Sequence, residues 1–494
     1  MCFSVLTVIF LVGFITLICY IRGVNVWKNN IQQNFPPGPR PLPLIGNLHI
    51  MDLKRPHETL CKLSEKYGSV FSIQLGMKKM VVLTGYETVK EALVNHADEF
   101  EERARVPMFE DFAKGHGIIF SHGETWKVMR RFALTTLRDF GMGKKTIEDK
   151  IIEECGFLIN QFESFHGTPF DTLMSLTLPI ANIIVSILQG YRFDYNDPVL
   201  RRIIHINNKA DRLLGTPMVL LYNIFPIFRF LPGNHKTVYN IVLEINAYIK
   251  STLMECQRQL DTNDQRSFID AFLSRQKEEK DHPNTHFNEE NLVNVVQNLL
   301  GAGMSTTATT FQWCLLIMMK YPEIQEKVQE EIERVIGSSQ PRTEHRKHMP
   351  YTNAVIHEVQ RFANIVPMNL PHETSRDTNF KGYFLPKGTF VIPLLASVLR
   401  DKTYFENPEE FDPRHFLNMD GKFVINDAFM PFSAGRRICV GENLAKMELF
   451  LFFSSLLQKF TIRPPPGVTD VDLTPTFGIT TPPMPHQICA LSRT

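Results

Sequence analysis

The strongest candidate for chemistry in this chain is a cysteine placed where a helix begins. In FSAGRRICVG, Phe432 to Gly441, Cys439 comes just before ENLAKMELFLFFSSLLQKF, which reads as an amphipathic helix starting near Glu442. The positive end of a helix dipole, loop N–H groups and the cations Arg436 and Arg437 all favour a thiolate over a thiol at such a position. A thiolate is a nucleophile or a metal ligand, and Gly435 and Gly441 permit close approach or unusual turns. The remaining cysteines, Cys2, Cys19, Cys61, Cys155, Cys256, Cys314 and Cys489, form no CxxC pair and show no zinc-like spacing to histidine. Each reads as a small apolar residue, and the set suits a reducing compartment.

Two further groups invite a chemical reading. In HEVQR, Glu358 and Arg361 lie on one helix face and can form an ion pair. GAGMSTTATT, Gly301 to Thr310, concentrates glycine and hydroxyl side chains, which can bend a helix and re-route its backbone hydrogen bonds. The plainer reading is a polar patch packed against another helix.

Positioning these groups falls mainly to helices. The chain has 494 residues, 44% hydrophobic and 21% charged, a globular composition able to bury a large core. Its net charge of +1 gives no support for nucleic-acid binding. From Met51 onward the long segments carry helical periodicity, without internal repeats, and β-prone pieces occur at Ser69 to Leu75, Lys79 to Thr84 and Thr389 to Pro393. The expected class is mainly α with small β-sheets. Asn288 as N-cap, followed by Glu289 and Glu290, predicts a long helix running to Lys320 and stopped by Pro322. The polar stretch Asp261 to Phe287 reads as a solvated surface connection.

The apolar, uncharged run from Phe3 to Ile21 is about the ~20 residues needed to cross a bilayer. Arg22 and Lys28 follow it and no cation precedes it, which predicts an N-terminal transmembrane helix with the rest of the chain on the cytosolic side. A cleaved signal peptide is the alternative, disfavoured by the missing basic start. FPPGPRPLPLIGN, Phe35 to Asn47, reads as a stiff spacer. The expected organisation is therefore an anchor at 1–22, a basic and proline-rich linker at 23–47, and one catalytic domain at 48–494.

The Cys439 segment resembles the haem-binding loop of the cytochrome P-450 superfamily, F-x-x-G-x-R-x-C-x-G, at every fixed position. The proline segment, GIIFSHGETWKVMRRF, FGMGKK and LPHETSRDT extend the resemblance to microsomal members over nearly the whole chain. It implies that fold, haem b as cofactor, and Cys439 as the axial thiolate that favours O–O cleavage. Glu358 and Arg361 match the E-x-x-R pair, a structural element. PRHF, Pro413 to Phe416, stands where P-E-R-F is usual, so His415 replaces the arginine that completes that cluster. Trp126 and Arg130 match a W-x-x-x-R helix, and with Arg103, His372 and Arg437 they are the implied contacts of the haem propionates, which want N–H donors.

The same resemblance makes Thr306 the threonine beside bound dioxygen. Ser305 departs from the pattern, because the residue before that threonine is usually an acid and a serine supplies no carboxylate. Ile119, Phe120, Ala302, Val366 and Phe477 are the implied substrate-pocket residues. Membership would make the protein a monooxygenase of the endoplasmic reticulum membrane, acting on xenobiotics, fatty acids or steroids, with NADPH electrons from a flavoprotein reductase. No nucleotide-binding fingerprint is visible in the chain itself. Lys127, Arg131, Arg138, Lys144 and Lys145 are candidates for docking that reductase, and Leu221 to Gly233 for a second bilayer contact. A reductase-independent peroxide rearrangement or isomerisation on the same fold, and a non-catalytic membrane haem protein, are the competing readings.

Overall fold

The structure is a computed structural model that describes residues 12–14 and 34–493, apart from 143 and 262–263. The expected anchor, Phe3 to Ile21, falls almost entirely outside the described residues. No helix among those residues is long and apolar enough to cross a membrane.

Helices dominate, and six of them build the site: α1 (Gly123–Asp139), α2 (Leu173–Gln189), α3 (Pro198–Leu214), α4 (Glu289–Lys320), α5 (Pro350–Ala363) and α6 (Glu442–Lys459). The long helix α4 runs 32 residues between the predicted ends, with the Asn288 side chain accepting a hydrogen bond from the Asn291 N–H at 2.9 Å. Its centre packs closely on α2 at Gly303, where a Cβ would lie 2.7 Å from the end of the Ile184 side chain. The helix α6 is not amphipathic as expected, because Met447 to Leu457 is buried on all sides within the main core.

The segment expected to be a surface connection contains a helix, Phe268–Glu278, whose Phe268, Ile269, Phe272 and Leu273 are buried. Polar flanks hid the short apolar stripe and its N-cap, Ser267, which accepts from the Asp270 N–H at 3.1 Å.

Small sheets lie at the margin, as anticipated. A five-stranded sheet has the order β1 (Val70–Leu75), β2 (Lys78–Leu83), β5 (Phe390–Pro393), β4 (His372–Glu373), β3 (Glu102–Arg103). The pair β2–β5 is parallel, with Val81 opposite Val391, whereas β3 and β4 run antiparallel and set Arg103 opposite His372. The proline segment is laid along β1, with the Ser72 N–H donating to the Pro37 carbonyl at 2.7 Å and the Ser72 hydroxyl to Pro36 at 2.8 Å.

Candidate functional site

The loop before α6 brings Cys439 to the wall of an internal cavity of about 420 Å³, and the accessible face of the sulfur opens onto that cavity. Gly435 makes the loop possible. It takes φ +71°, and a Cβ there would sit 1.8 Å from the Leu93 carbonyl oxygen. The Cys439 N–H closes the turn on the Phe432 carbonyl at 3.1 Å.

Burial raises the pKa of the thiol, opposed by hydrogen bonds from the Gly441 and Glu442 N–H groups and by the Arg130 charge. The two arginines expected to help do not act on the sulfur. Arg436 turns outward to Asp98 and to Glu101 at 2.7 Å, and Arg437 donates to the carbonyls of Glu101 at 2.8 Å and Ser121 at 2.9 Å.

Beside the sulfur the chain gathers three guanidinium groups with few partners. Arg130, on α1, donates to the Ile438 carbonyl at 2.5 Å. Arg103, at the sheet edge, donates to the Leu370 carbonyl at 3.1 Å and lies 2.6 Å from the Nε2 atom of His372. Arg437 stacks on the Trp126 ring, 3.7 Å from its centroid. The Nε atom of Arg103, the Nε1 atom of Trp126 and one Nη atom of Arg437 are buried and have no hydrogen-bond partner. Burial, then the neighbouring cations, push Arg437 down to about 8 and Arg103 to about 9. Buried N–H donors beside uncompensated positive charge are a cradle for an anion.

His372 stands one layer behind. Its Nδ1–H donates to the Phe100 carbonyl at 2.5 Å, which leaves Nε2 as the acceptor facing Arg103. Both nitrogens are thereby engaged, and the ring is buried and held neutral.

Of the expected pocket residues, Ile119, Phe120, Ala302 and Val366 line the cavity, with Thr306 and Ser305 along the α4 wall. The loop holding Ile119 is fixed by Asn298, whose Oδ1 accepts from the N–H groups of Ile118 and Ile119 at 3.0 and 3.1 Å. Phe477 lies outside the cavity, 39% exposed. Bonds from the Ile479 N–H to the Asp211 carbonyl and from the Thr481 N–H to the Ile365 carbonyl set the register of that turn, so Ile479 and Thr480 face inward instead.

Thr306 donates its hydroxyl proton to the Ala302 carbonyl at 2.7 Å, which leaves its oxygen lone pairs available. Two carboxyl groups that sequence reading missed also line the cavity, Asp211 on α3 and Glu448 on α6. Burial pushes Asp211 up to about 6, tempered by the nearby hydroxyl of Ser305, and pushes Glu448 up to about 8, tempered by the nearby hydroxyl of Thr307. A signal existed for both. Asp211 shares the buried stripe of Leu200, Ile203, Ile204, Asn207 and Ala210, and Glu448 interrupts an apolar run.

Behind the cysteine loop, Glu358 and Arg361 form a fully buried two-point ion pair at 2.6 and 2.7 Å. Arg361 spends its other donors on the carbonyls of Leu399, Pro408 and Glu410. His415 completes the cluster: Nδ1 lies 3.1 Å from Glu358 Oε1 and Nε2 lies 2.6 Å from the Glu406 carbonyl. Both contacts require an N–H, so the ring is held as an imidazolium; burial opposes the charge, and Glu358 outweighs it and raises the pKa. Histidine thus fills the arginine's place in the network.

The family model "Cytochrome P450" matches residues 36–490. The chain is 51% identical to cytochrome P450 2K1 of Oncorhynchus mykiss over 491 residues, 99% of this chain and 96% of that protein. It is 51% identical to cytochrome P450 2K6 of Danio rerio over 456 residues, 92% and 90% of the two chains. Against cytochrome P450 2F2 of Mus musculus the identity is 48% over 461 residues, 93% and 94% of the two chains.

Proposed function

Because the chain belongs to the cytochrome P450 family, whose members are haem-thiolate monooxygenases, we propose that it inserts one oxygen atom from dioxygen into lipophilic substrates, such as xenobiotics, fatty acids or steroids, using NADPH electrons from a separate flavoprotein reductase. One observation carries this reading: the Cys439 sulfur and Thr306 open onto the same predominantly apolar cavity.

The residues present fit haem. A sulfur faces the cavity, Arg103 and Arg437 line it with unpartnered N–H groups, and the unpartnered Trp126 N–H lies against Arg437, donors that an anionic group would satisfy. Haem, when bound, supplies the redox iron that activates dioxygen, with a cysteine thiolate as axial ligand. In this proposal Cys439 is that ligand, and Arg103, Trp126, Arg130 and Arg437 hold the two propionates. His372 orients Arg103 by accepting its N–H. Glu358, Arg361 and His415 brace the polypeptide behind the cysteine loop.

Ile119, Phe120, Ala302 and Val366 bind substrate by burying its apolar surface and excluding water. Thr306 acts on protons. Its hydroxyl hydrogen is committed to Ala302, so its oxygen accepts a proton or a hydrogen bond from the cavity side. Ser305 is the weak point of this chemistry, as its hydroxyl reaches only the Gly301 carbonyl at 3.4 Å within α4.

The proposal places the protein on the cytosolic face of the endoplasmic reticulum, with residues 1–22 as anchor, 23–47 as linker and 48–494 as the catalytic domain. Docking of the second half of the linker along β1 supports a stiff tether. Exposed Ile227, Phe230 and Leu231 support a second bilayer contact. They follow Ile224 and Phe225, which pack beside Gly76, and the exposed Leu42, Leu44 and Ile45 lie by the same hairpin through the bridge from Gly46 to Leu75. Lys127, Arg131, Arg138, Lys144 and Lys145 are exposed on or beside α1, a basic surface suited to an acidic reductase.

Purified protein with reductase and NADPH, assayed over a lipophile panel, tests this reading. Oxygenated product commensurate with NADPH consumed is expected. NADPH spent only on peroxide, or product formed from peroxides without any reductase, would transfer the assignment to the rearrangement chemistry.

A further inference from the structure

We propose that Asp211, on a different helix from Thr306, serves this monooxygenase as the proton-positioning carboxyl that its α4 sequence lacks, acting through the hydroxyl of Ser305. The inference rests on the functional reading above and deepens it.

Three observations meet at this point. Asp211 lines the same cavity as Ser305 and Thr306, and Ser305 is the polar side chain close enough to bear on its ionisation. The Oδ2 atom of Asp211 is buried without a partner, and one turn earlier on α3 the Nδ2 atom of Asn207 is buried without a partner as well. An unpaired acceptor and an unpaired donor on successive turns are what a bridging water satisfies. The crossing of α3 over α4 is close enough that a Cβ on Gly301 would meet Asn207 Oδ1 at 3.2 Å, so these polar atoms lie against the stretch that carries Ser305 and Thr306. A carboxyl brought in from α3 to the cavity wall beside Ser305 therefore reaches the neighbourhood that an acid at position 305 would occupy.

The proton balance is simple. Reduction of dioxygen to one inserted oxygen atom and one water consumes two protons along with the two electrons of NADPH. The Asp211 carboxyl gives its proton to the Ser305 oxygen as the Ser305 hydroxyl releases its own toward cavity water and the Thr306 oxygen. The carboxylate left behind is reprotonated from water in the cavity that Asp211 lines. Burial supports this role by raising the carboxyl to about 6, near enough to neutrality for it to cycle. Among the described residues no charged side chain acts on it, either from helices Leu173–Gln189, Pro217–Ile224, Asn234–Gln259 and Glu289–Lys320 packed against α3 or from the 478–480 turn; Ser305 is the one polar group that does.

The test uses the haem-loaded protein with reductase and NADPH. Asp211→Asn is expected to lower product per NADPH on the order of tenfold to a hundredfold, at or below the lower end of positioned proton donors because water substitutes in part, while peroxide release rises and substrate affinity holds. Product per NADPH in the unmodified protein should fall as pH rises through about 6, because the acid form is lost, and the variant should be flat across that range. Adding Ser305→Glu to Asp211→Asn returns an acid to α4 and should restore coupling. A second readout needs no turnover: the carboxyl infrared band that disappears in Asp211→Asn should titrate near neutrality and shift in Ser305→Ala. Wild-type coupling in Asp211→Asn, or no rescue by Ser305→Glu, overturns the proposal. If the unmodified protein makes no NADPH-driven product, the functional reading fails instead, and the infrared band decides on the pair: a band unmoved by Ser305→Ala overturns it.

Discussion

The two sides of the cysteine loop are built on opposite rules. Behind it, every donor of Arg361 has an acceptor, Glu358 takes bonds from Arg361, His415 and the Asp412 N–H, and the ion pair is fully buried. In front of it, donors of Arg103, Trp126 and Arg437 and oxygens of Asp211 and Glu448 are buried without partners. A satisfied polar network fixes one backbone arrangement and has nothing left to offer a ligand. An unsatisfied one costs stability and is retained where something else is to be bound or moved. The contrast separates the part that shapes the loop from the part that does the chemistry.

The largest effect that would sharpen this contrast comes from breaking the satisfied side. Glu358→Ala leaves Arg361 buried and uncompensated, and should lower stability by about 3–5 kcal/mol, read by denaturant unfolding. Loss of under ~1 kcal/mol, the range of an exposed pair, would place the two regions on equal terms.

Relieving the unsatisfied side should do the reverse. The folded protein holds Glu448 protonated, its pKa raised from 4.5 to about 8. Its stability is fully present below pH 4.5 and is lost as pH rises toward about 8. Glu448→Gln removes that dependence and should stabilise the protein at pH 7 by about 3 kcal/mol, from about 1.4 kcal/mol per pH unit. Parallel melting curves against pH for the two proteins would contradict it.

Much of the satisfied side was legible in sequence, because it is local. The Cys439 loop, the Asn288 cap, and Glu358 with Arg361 are each written within a few residues. Asp211 against Ser305, and Glu448 against Thr307, depend on how helices cross and are written nowhere in one segment. The same holds for Phe477, whose exclusion follows from hydrogen bonds made by Ile479 and Thr481 to other elements. The Phe268–Glu278 helix was hidden differently, by polar flanks that outweighed a stripe of four buried apolar residues.

Two smaller effects complete the ranking. Arg437→Ala removes an unpartnered donor and the stack on Trp126, and should speed haem transfer to an acceptor protein by about tenfold or more, hydrogen bonds to charged groups being worth ~1.5–3 kcal/mol. Phe477→Ala should leave lipophile affinity within about twofold, a surface change well under 1 kcal/mol, whereas Ile479→Ala should weaken it measurably in the same titration. Equal losses in both would return Phe477 to the cavity.

The central claim is that Cys439 carries the reactive centre, and the electronic spectrum of the reduced, carbon monoxide-bound protein tests it most directly. The unmodified protein should show the spectrum of a thiolate-ligated haem, and Cys439→His should bind haem without it. A variant whose spectrum matched that of the unmodified protein would contradict the account.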